Sequence, residues 1–314
     1  MTKSSNVLNV GYISAINGSL IEIKGLEREI RLHDLVRVSK HNILGEVIQI
    51  YNDRIVVQCY ENTNNIMLYE DVVDLKESLS MELAPGLLGK IFDGIQRPLE
   101  NIYEQFEHIG FLERGIQIPS LSRKKKWHFT PLKKQKEELF EGDIIGFVQE
   151  TPSVKHYILV PPGESGILNS IREEGDYTIE EPIYTLQNDG REKSYDMIQK
   201  WPITRKRPFN KKETPKDPLI TGIRIIDLLF PVAKGGTVAV PGGFGTGKTV
   251  IQQSLAKWCD ADVIVFVGCG ERGNEIADSL KEFSKLIDPR SGRPLLEPRK
   301  FLKTPILYCH LFYL

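Results

Sequence analysis

The chain has 314 residues, which is more than one typical domain contains and predicts two or three domains. Hydrophobic residues make up 40% of the chain and charged residues 26%, values that exclude a disordered or fibrous protein. The 41 Lys and Arg nearly balance the 42 Asp and Glu, and the net charge of -1 supplies no broad field that would attract nucleic acid or acidic lipid.

Several classes of site are also missing from the sequence. No apolar run approaches the ~18 to 20 residues that a membrane-spanning helix needs. The six His residues show no grouping with acids or cysteines at ligand spacing, so they predict no metal site. The four cysteines form no CxxC pair and follow no secretory leader, which favours free thiols in a reducing cytoplasm.

Residues 1–75 are predicted to form a small β-barrel. Five short segments rich in β-branched residues are separated by turn signals, and this spacing is typical of small barrels. The segments are "VLNVGYIS", "LIEIKG", "DLVRVS", "ILGEVIQIY" and "RIVVQCY". The barrel lacks the basic and aromatic face of an oligonucleotide-binding fold, so a structural or assembly role is favoured.

The composition changes near residue 76, where we place a domain boundary. Residues 76–110 are interpreted as the start of a central domain, with a short apolar helix predicted between the breakers Pro85-Gly86 and Asp93-Gly94. Residues 111–193 are polar and rich in strand patterns, and they are interpreted as a separate β-rich lobe.

Two basic stretches allow more than one interpretation. Residues 123–126 are followed by Trp127 and Phe129, a combination that single-stranded nucleic acid uses. A solvated loop beside core aromatics is strongly favoured, because the chain as a whole is neutral. The Pro-containing stretch at 204–216 has no periodicity and is interpreted as an exposed connector.

Residues 194–297 carry the clearest chemical signal. "GTVAVPGG" at 236–243 is predicted to be a strand that runs into glycines, and residues 248–259 have helical periodicity. A strand, a glycine loop and a helix, in that order, are the context that a phosphate-binding loop requires.

The loop matches the pattern G-x-x-x-x-G-K-[ST]. Its fixed positions are Gly242, Gly247, Lys248 and Thr249, with a further glycine at 245. Glycines allow backbone amides to turn toward phosphate oxygens at positions where a Cβ would interfere. Lys248 is expected to contact the β- and γ-phosphates, and the Thr249 hydroxyl is expected to bind Mg²⁺. The alternative is a glycine-rich turn that caps a helix beside an incidental lysine.

An apolar run at 262–270 predicts a buried parallel strand covered on both faces. Glu271 and Arg272 follow it and precede a predicted helix at 274–287. Strand ends face the ligand in doubly wound sheets, so Glu271 is a candidate base that aligns an attacking water. From spacing alone, Glu271 is as consistent with an acid that opens the next helix, and Arg272 with either a phosphate contact or an ion pair.

The chain resembles the catalytic A subunit of V-type and A-type rotary ATPases. The resemblance runs from residue 1 to about 297 and rests on several matched stretches. They are "ELAPGLLGKIFDGIQRPL" (82–99), "MIQKWP" (197–202), "PLITGIRIIDLLFPVAKGGTVAVPGGFGTGKT" (218–249), "AKWCDADVIVFVGCGERGNE" (256–275) and "DPRSGRPL" (288–295). It implies a multi-domain chain with an N-terminal β-barrel, an inserted β-rich lobe and a partial α/β RecA-like P-loop nucleotide-binding domain.

The resemblance also implies roles for individual residues. Glu271 would match the base that activates water, Lys248 the phosphate-binding lysine and Arg272 the arginine beside the γ-phosphate. Thr249 would match the Mg²⁺ residue. ATP or ADP would lie against the loop, whose residues are Gly242, Gly243, Phe244, Gly245, Thr246, Gly247, Lys248, Thr249 and Val250.

The chain departs from the family pattern at two places. The family usually has proline where this chain has Gly243, which is expected to loosen the loop without removing a ligand. Residues 298–314 form an atypical tail where the family continues with further strands, a Mg²⁺-binding aspartate and a helical domain. We therefore regard the chain as C-terminally truncated, with an exposed sheet edge, and expect it to be poorly soluble and inactive when isolated.

The resemblance implies a catalytic subunit that couples ATP synthesis or hydrolysis to proton or sodium transport. Its partners would be non-catalytic B-type subunits in an alternating hexamer, central stalk subunits and a membrane sector, with no nucleic acid. The subunit would be cytoplasmic and peripheral to the membrane. The alternatives are a non-catalytic remnant that binds nucleotide or a partner, a RecA-type helicase and a secretion ATPase, of which the last two would lack the inserted lobe.

Overall fold

The structure is a computed structural model, and it describes most of residues 10–270 together with short stretches beyond them. The described residues are 10–26, 29–105, 114–151, 154–188, 190–207, 209, 211–243, 245–270, 274, 278, 287–288, 293–294 and 306–311.

Six antiparallel strands close into an N-terminal barrel with the order β1-β2-β5-β4-β3-β6. The strands are β1 (Val10–Asn17), β2 (Leu20–Lys24), β3 (Asp34–Val38), β4 (Ile43–Ile50), β5 (Ile55–Cys59) and β6 (Asp71–Ser78). Alternate side chains point inward, as the period of two requires, and Ile55, Val57 and Cys59 of β5 are buried in the core. The barrel and its first five strands confirm the sequence prediction. The sixth strand was missed, and it closes the barrel by pairing with β1 and β3.

The segment after the barrel contains β7 (Ser80–Leu83), β8 (Ile91–Asp93) and α1 (Leu99–Gln105). The helix predicted between Pro85-Gly86 and Asp93-Gly94 is wrong, because this segment is a loop that leads into β8. The buried carboxylate of Glu150 accepts hydrogen bonds from the amides of Gly86 at 2.7 Å and Leu88 at 3.3 Å. Because these two amides donate to Glu150, they cannot form the backbone hydrogen bonds of a helix. The same bonds hold the segment against the lobe.

Two four-stranded antiparallel sheets form the β-rich lobe. Its strands are β9 (Lys126–Pro131), β10 (Glu138–Leu139), β11 (Ile144–Gln149), β12 (Lys155–Leu159), β13 (Gly166–Ile171), β14 (Gly175–Thr178), β15 (Tyr184–Asn188) and β16 (Arg191–Tyr195). One sheet has the order β10-β13-β15-β16 and the other β12-β11-β9-β14. Phe129, Leu139, Ile145 and Leu168 are fully buried in their shared core.

The lobe is attached through a two-stranded sheet. β17 (Gln199–Pro202) follows the lobe and pairs antiparallel with β7, which precedes it, so that Trp201 lies opposite Met81. Because the chain leaves and returns through adjacent strands, the lobe is inserted into the central domain at this pair.

The remaining elements belong to the predicted α/β domain. They are β18 (Pro218–Leu219), α2 (Arg224–Leu229), β19 (Val232–Ala233), α3 (Lys248–Trp258), β20 (Ile264–Cys269), β21 (Ile287–Asp288), β22 (Arg293–Pro294) and β23 (Ile306–Leu311). A parallel three-stranded sheet has the order β20-β23-β8. Of the helix predicted at 274–287, the described residues 274 and 278 are helical, but residue 287 lies in β21, so the predicted end of the helix is wrong.

The tail pairs with β20 on one side, which changes the expectation of an exposed edge. Residue 266 lies opposite residue 308, and residue 308 opposite residue 91. On its other side β20 has no partner among the described strands. One edge of β20 is therefore paired with β23, contrary to the expectation, and the other edge has no partner among the described strands.

The strand predicted at 236–243 is wrong. These residues have no regular secondary structure, and the side chain of Val238 is 53% exposed. A strand is stable only when its amides and carbonyls pair with a neighbour, and no described strand pairs with this segment. Residues 236–243 have the composition of a buried strand, but no described strand forms hydrogen bonds with them.

β20 is covered on one face, whereas the sequence predicted both faces to be covered. Phe266 is buried, while Val265 and Val267 on the opposite face are 57% and 49% exposed. α2 has no buried residue, and its Leu228 is 79% exposed. The helices and strands of this domain that the structure describes leave one apolar face of the sheet uncovered.

Candidate functional site

The loop before α3 has the backbone conformation that phosphate cradles require. Gly245 and Gly247 have positive φ angles of 78° and 87°, a region that residues with a Cβ rarely occupy. The Thr246 hydroxyl donates to the carbonyl of Gly243 at 2.9 Å. A Cβ added to Gly242 would lie 2.5 Å from the Thr246 Oγ1, so a larger residue would force the Thr246 side chain or the loop to shift.

Lys248 is the first residue of α3, and its side chain folds back over the loop. Its Nζ donates to the carbonyl of Gly243 at 2.9 Å and also to that of Gly242. These bonds hold the ammonium above the cradle that the glycines form. The carbonyls of the loop therefore orient this ammonium, and the phosphate-binding role of Lys248 stays a prediction.

The start of α3 supplies further donors. The first hydrogen bond into the helix runs from the amide of Ile251 to the carbonyl of Gly247 at 3.1 Å. The amides of Lys248, Thr249 and Val250 precede it and have no acceptor within the helix. Together with the helix dipole, they favour a bound anion at this end.

Thr249 lies half-buried in the first turn of α3, and Val250 beside it is 64% exposed. The structure brings residues 242, 243 and 245–250 together in one loop and helix start. Phe244 lies outside the described residues. The described part of the chain contains no group of three or more His, Cys, Asp or Glu that could hold a metal ion.

Glu271 and Arg272, the other predicted catalytic residues, lie outside the described residues. β20 ends at Cys269, and Gly270 follows with a φ of 68°. The roles of Glu271 and Arg272 stay predictions that rest on their place directly after β20.

A turn at 220–223 supports the far end of α3, and sequence reasoning did not single it out. The carboxylate of Asp227 accepts hydrogen bonds from the Thr221 hydroxyl at 2.7 Å, the Thr221 amide at 2.8 Å and the Gly222 amide at 3.1 Å. These bonds lower the pKa of Asp227 below its ordinary value. The bond from the Thr221 hydroxyl has the largest effect, and the bonds from the amides have smaller ones. In the sequence, the sign of this turn was a threonine, Thr221, that precedes the aspartate Asp227 by six residues.

Contacts between this turn and α3 are close. A Cβ on Gly222 would lie 2.8 Å from the Cβ of Trp258, and the Asp260 amide donates to the carbonyl of Ile220 at 2.9 Å. Lys234 pairs with Asp260 at 3.0 Å. Because α3 is anchored at its carboxyl end, its amino end and the loop before it are held in a fixed direction.

The basic run at 123–126 is used within the chain. Arg123 pairs with Glu82 at 2.7 Å and with Glu180 at 2.9 Å, and the Lys125 ammonium lies 3.6 Å from the centre of the Trp127 ring. Trp127 and Phe129 are buried, as expected of core aromatics. Lys124, Lys125 and Lys126 are exposed, as the favoured solvated loop predicts, whereas Arg123 is half-buried and forms ion pairs at the base of the lobe.

A buried ionic cluster was also missed. Arg97 donates to Glu61 and to Asp93, and all three residues are at most 9% exposed. The cluster joins the barrel to the segment after β8 and has no part in the phosphate loop.

Among the residues that the structure describes, none of the helices is both long and apolar enough to cross a membrane.

Three family models match successive parts of the chain. They describe the ATP synthase alpha/beta family β-barrel domain at residues 13–76, the ATP synthase alpha/beta subunit barrel-sandwich domain at 118–204 and the ATP synthase alpha/beta family nucleotide-binding domain at 222–296. The last match contains the whole phosphate loop, the strand β20 and residues 271 and 272.

Curated relatives are A-type ATP synthase subunits A from archaea. The chain is 49% identical to that of Saccharolobus islandicus over 290 residues, which cover 92% of this chain and 49% of the relative. It is also 49% identical to that of Methanopyrus kandleri over 288 residues, covering 91% and 48%. The chain therefore spans about half the length of these relatives.

A solved structure is similar in fold. The assembled ATPase EscN of the enteropathogenic E. coli type III secretion system matches with a TM-score of 0.51 and 17% sequence identity. The match covers 96% of this chain and 47% of EscN. At this identity, the similarity concerns the arrangement of the polypeptide only.

Proposed function

The chain belongs to the ATP synthase alpha/beta family, and we propose that it provides the nucleotide-binding half of a catalytic A subunit in an A-type or V-type rotary ATPase. The observation that carries the proposal is the loop at 242–249, where two positive-φ glycines and Lys248 form a cradle at the start of α3. The nucleotide-binding family model covers this loop.

The cradle fits the phosphates of ATP or ADP. Free amides at the start of α3, the ammonium of Lys248 and the absence of a Cβ at Gly242 are the features that phosphate oxygens need. Gly243, Phe244, Gly245, Thr246, Gly247 and Val250 complete the proposed nucleotide contacts.

Mg²⁺ fits the Thr249 hydroxyl, since hard cations prefer oxygen ligands and often share them with substrate phosphates. When bound, the ion would neutralise charge that builds on the phosphate oxygens during transfer. Thr249 would supply one protein oxygen to it.

Two further roles belong to residues directly after β20. Glu271 would accept a hydrogen bond from water and align it for attack on the γ-phosphate, and Arg272 would stabilise charge on that phosphate. The resemblance to A subunits supports both roles.

The activity of the whole subunit would couple ATP synthesis or hydrolysis to transport of protons or sodium ions. Its partners would be B-type subunits that alternate with A subunits in a hexamer, central stalk subunits and a membrane sector. The subunit would then lie on the cytoplasmic face of a membrane and be held there by those partners. The relatives named above support this assignment as subunits of A-type ATP synthases.

The direct test is equilibrium binding of labelled ATP to the purified chain, with and without Mg²⁺. Lys248→Ala is expected to weaken binding at least ~10-fold, about 1.4 kcal/mol. The control variant Lys257→Ala carries the same change in the last turn of α3. It is expected to bind ATP as tightly as the unsubstituted chain. Equal affinity in the three proteins would overturn the proposal.

A second, narrower candidate function is that the isolated chain binds nucleotide but does not hydrolyse it. It is favoured by residues 236–243, which are not paired into a sheet before the loop. Release of labelled phosphate by the purified chain at a rate that Glu271→Gln abolishes would exclude this narrower function.

A further inference from the structure

A cavity of about 300 Å³ lies between the N-terminal barrel and the strap formed by residues 115–120. Its wall is mixed, and apolar residues from both sides of the junction form part of it. The apolar residues include Leu35, Leu44, Leu79, Ile95, Ile116 and Ile118. The cavity is far from the phosphate loop in sequence, and none of the loop residues lines it.

The carboxylates that line this cavity already have cationic partners. Glu61 accepts from Arg97 at 2.7 Å, and its two oxygens also accept from the amide of Gly115 at 3.2 and 3.0 Å. Glu82 accepts two bonds from Arg123, at 2.7 and 2.8 Å, and one from the Ser120 hydroxyl. Arg97 also donates to Asp93, and Arg123 also pairs with Glu180, so each of these arginines is shared between two carboxylates and has no free charge for a ligand.

The third carboxylate lies at the mouth. Glu77 is 4.0 Å from the Lys200 ammonium, and both side chains are more than half exposed. Water screens this pair, and it leaves no strong field inside the cavity.

Arg37 remains as the cation without a counter-charge. It lies on β3 and lines the cavity, and its Nε is buried with no hydrogen-bond partner. Among the described residues no carboxylate pairs with its guanidinium. A buried donor without an acceptor is costly, and a guanidinium presents two parallel N-H groups that match a carboxylate.

We propose that this cavity binds a small organic monocarboxylate, with the carboxylate on Arg37 and an apolar body against the leucine and isoleucine wall. Arg37 is the lining cation that no described carboxylate pairs with, and its guanidinium matches one carboxylate. A phosphate dianion would bring a second negative charge close to Glu61 and Glu82. The short apolar chain of the ligand would replace water along the wall, which favours binding in proportion to the area covered.

The test compares hexanoate, acetate and hexylammonium as probes of the intact chain at constant ionic strength. Hexanoate is expected to raise the thermal unfolding midpoint most and acetate less. Hexylammonium has the same apolar chain and the opposite charge, and it is expected to give no increase. An equal increase with hexylammonium would show that the probes bind an apolar surface, which would overturn the proposal.

Arg37→Met is expected to remove the response to hexanoate. Arg31→Met changes an exposed arginine of the same barrel and is expected to keep it. Saturation-transfer NMR on the folded proteins measures hexanoate directly, with binding to Arg37→Met at least ~10-fold weaker. This readout does not depend on unfolding midpoints.

The unliganded proteins give a second criterion. Since Arg37 has a buried donor without a partner, Arg37→Met is expected to keep or raise the midpoint in buffer alone. Two results together would overturn the proposal: a lower midpoint for Arg37→Met in buffer, and no response of the unsubstituted chain to hexanoate. They would show that the guanidinium already has hydrogen-bond acceptors within the protein.

Discussion

Arg97 donates from Nη1 to the Oε1 of Glu61 at 2.7 Å, and this buried ion pair ties the N-terminal barrel to the start of the central domain. The Nε of the same guanidinium donates to Asp93 at 2.6 Å. Burial opposes the charge on Arg97, but the two carboxylates outweigh it and raise the pKa of the guanidinium above its ordinary value. The two carboxylates therefore favour the charged form of the arginine.

Arg97→Met is expected to lower the free energy of unfolding by about 3 to 5 kcal/mol, because it leaves two buried carboxylates without their cation. Urea denaturation followed by circular dichroism measures the change. Lys90→Met removes a cation from an exposed pair with Glu100 and is expected to cost about 0 to 1 kcal/mol. Equal costs for the two substitutions would contradict the role assigned to the buried cluster.

Gly242→Ala and Gly243→Ala form a matched pair in the phosphate loop. A Cβ at Gly242 would lie 2.5 Å from the Thr246 Oγ1, whereas a Cβ at Gly243 would meet nothing within 4 Å. Gly242→Ala is expected to weaken ATP binding at least ~10-fold through displacement of the loop, and Gly243→Ala to leave it within ~3-fold. Calorimetric titration of the two variants measures both values, and the reverse order would contradict the loop geometry.

His128 lies between two carboxylates on the outer face of the lobe. Asp176 is 2.9 Å from its Nδ1 and Glu174 is 3.1 Å from its Nε2, and these contacts raise the pKa of His128 above the ordinary value of 6.5. The small stabilisation from this charge is present below pH 6.5 and is lost as the pH rises through the raised pKa. NMR titration is expected to show a lower pKa for His128 in Asp176→Asn. An unchanged value would show that the carboxylate has no effect on this imidazole.

Cys59 and Cys269 are expected to differ in their reactivity with iodoacetamide. Burial, with a smaller effect of Glu61, raises the pKa of the Cys59 thiol to about 12, so the reactive thiolate is scarce at pH 8. Cys269 is exposed. Mass spectrometry of the briefly labelled native chain is expected to find modification at Cys269 and none at Cys59, with labelling of Cys59 only after denaturation.

The uncovered apolar face of β20 and α2 is expected to limit solubility. Leu228→Lys and Val265→Lys place charges on side chains that are 79% and 57% exposed, so they are expected to reduce self-association with little loss of stability. Light scattering at increasing concentration measures the effect. Phe266→Lys, on the covered face of the same strand, is expected to unfold the domain, and reduced scattering without unfolding in that variant would contradict the assignment of the faces.

Local patterns were sufficient for part of the fold. The first five barrel strands follow from alternating β-branched residues and turn signals, because these act within a few residues of the chain. β6 was missed since "DVVDLKES" carries four charged residues and resembles a loop. Asp74 of this strand is 1% exposed, and its Oδ1 accepts a bond from the Lys76 amide at 2.8 Å.

Pairing between distant segments was not available from local patterns. "GTVAV" has the composition of a strand but finds no described partner, while residues 306–311 become β23 by pairing with β20 and β8. A strand depends on its neighbours for its hydrogen bonds, and its own sequence does not identify them.

Local sequence was enough to specify the glycine loop at 242–249 and the helix that follows it. Glycines at 242, 245 and 247, followed by Lys248 and Thr249, specify a local backbone in which every important contact joins residues at most six positions apart. The tertiary structure alone decided that Arg97 bridges Glu61 and Asp93, and that Arg37 is left without a counter-charge. Those outcomes depend on which charged side chains meet where the barrel contacts the segments that follow it, and sequence spacing does not encode the contact between Arg97 and Glu61.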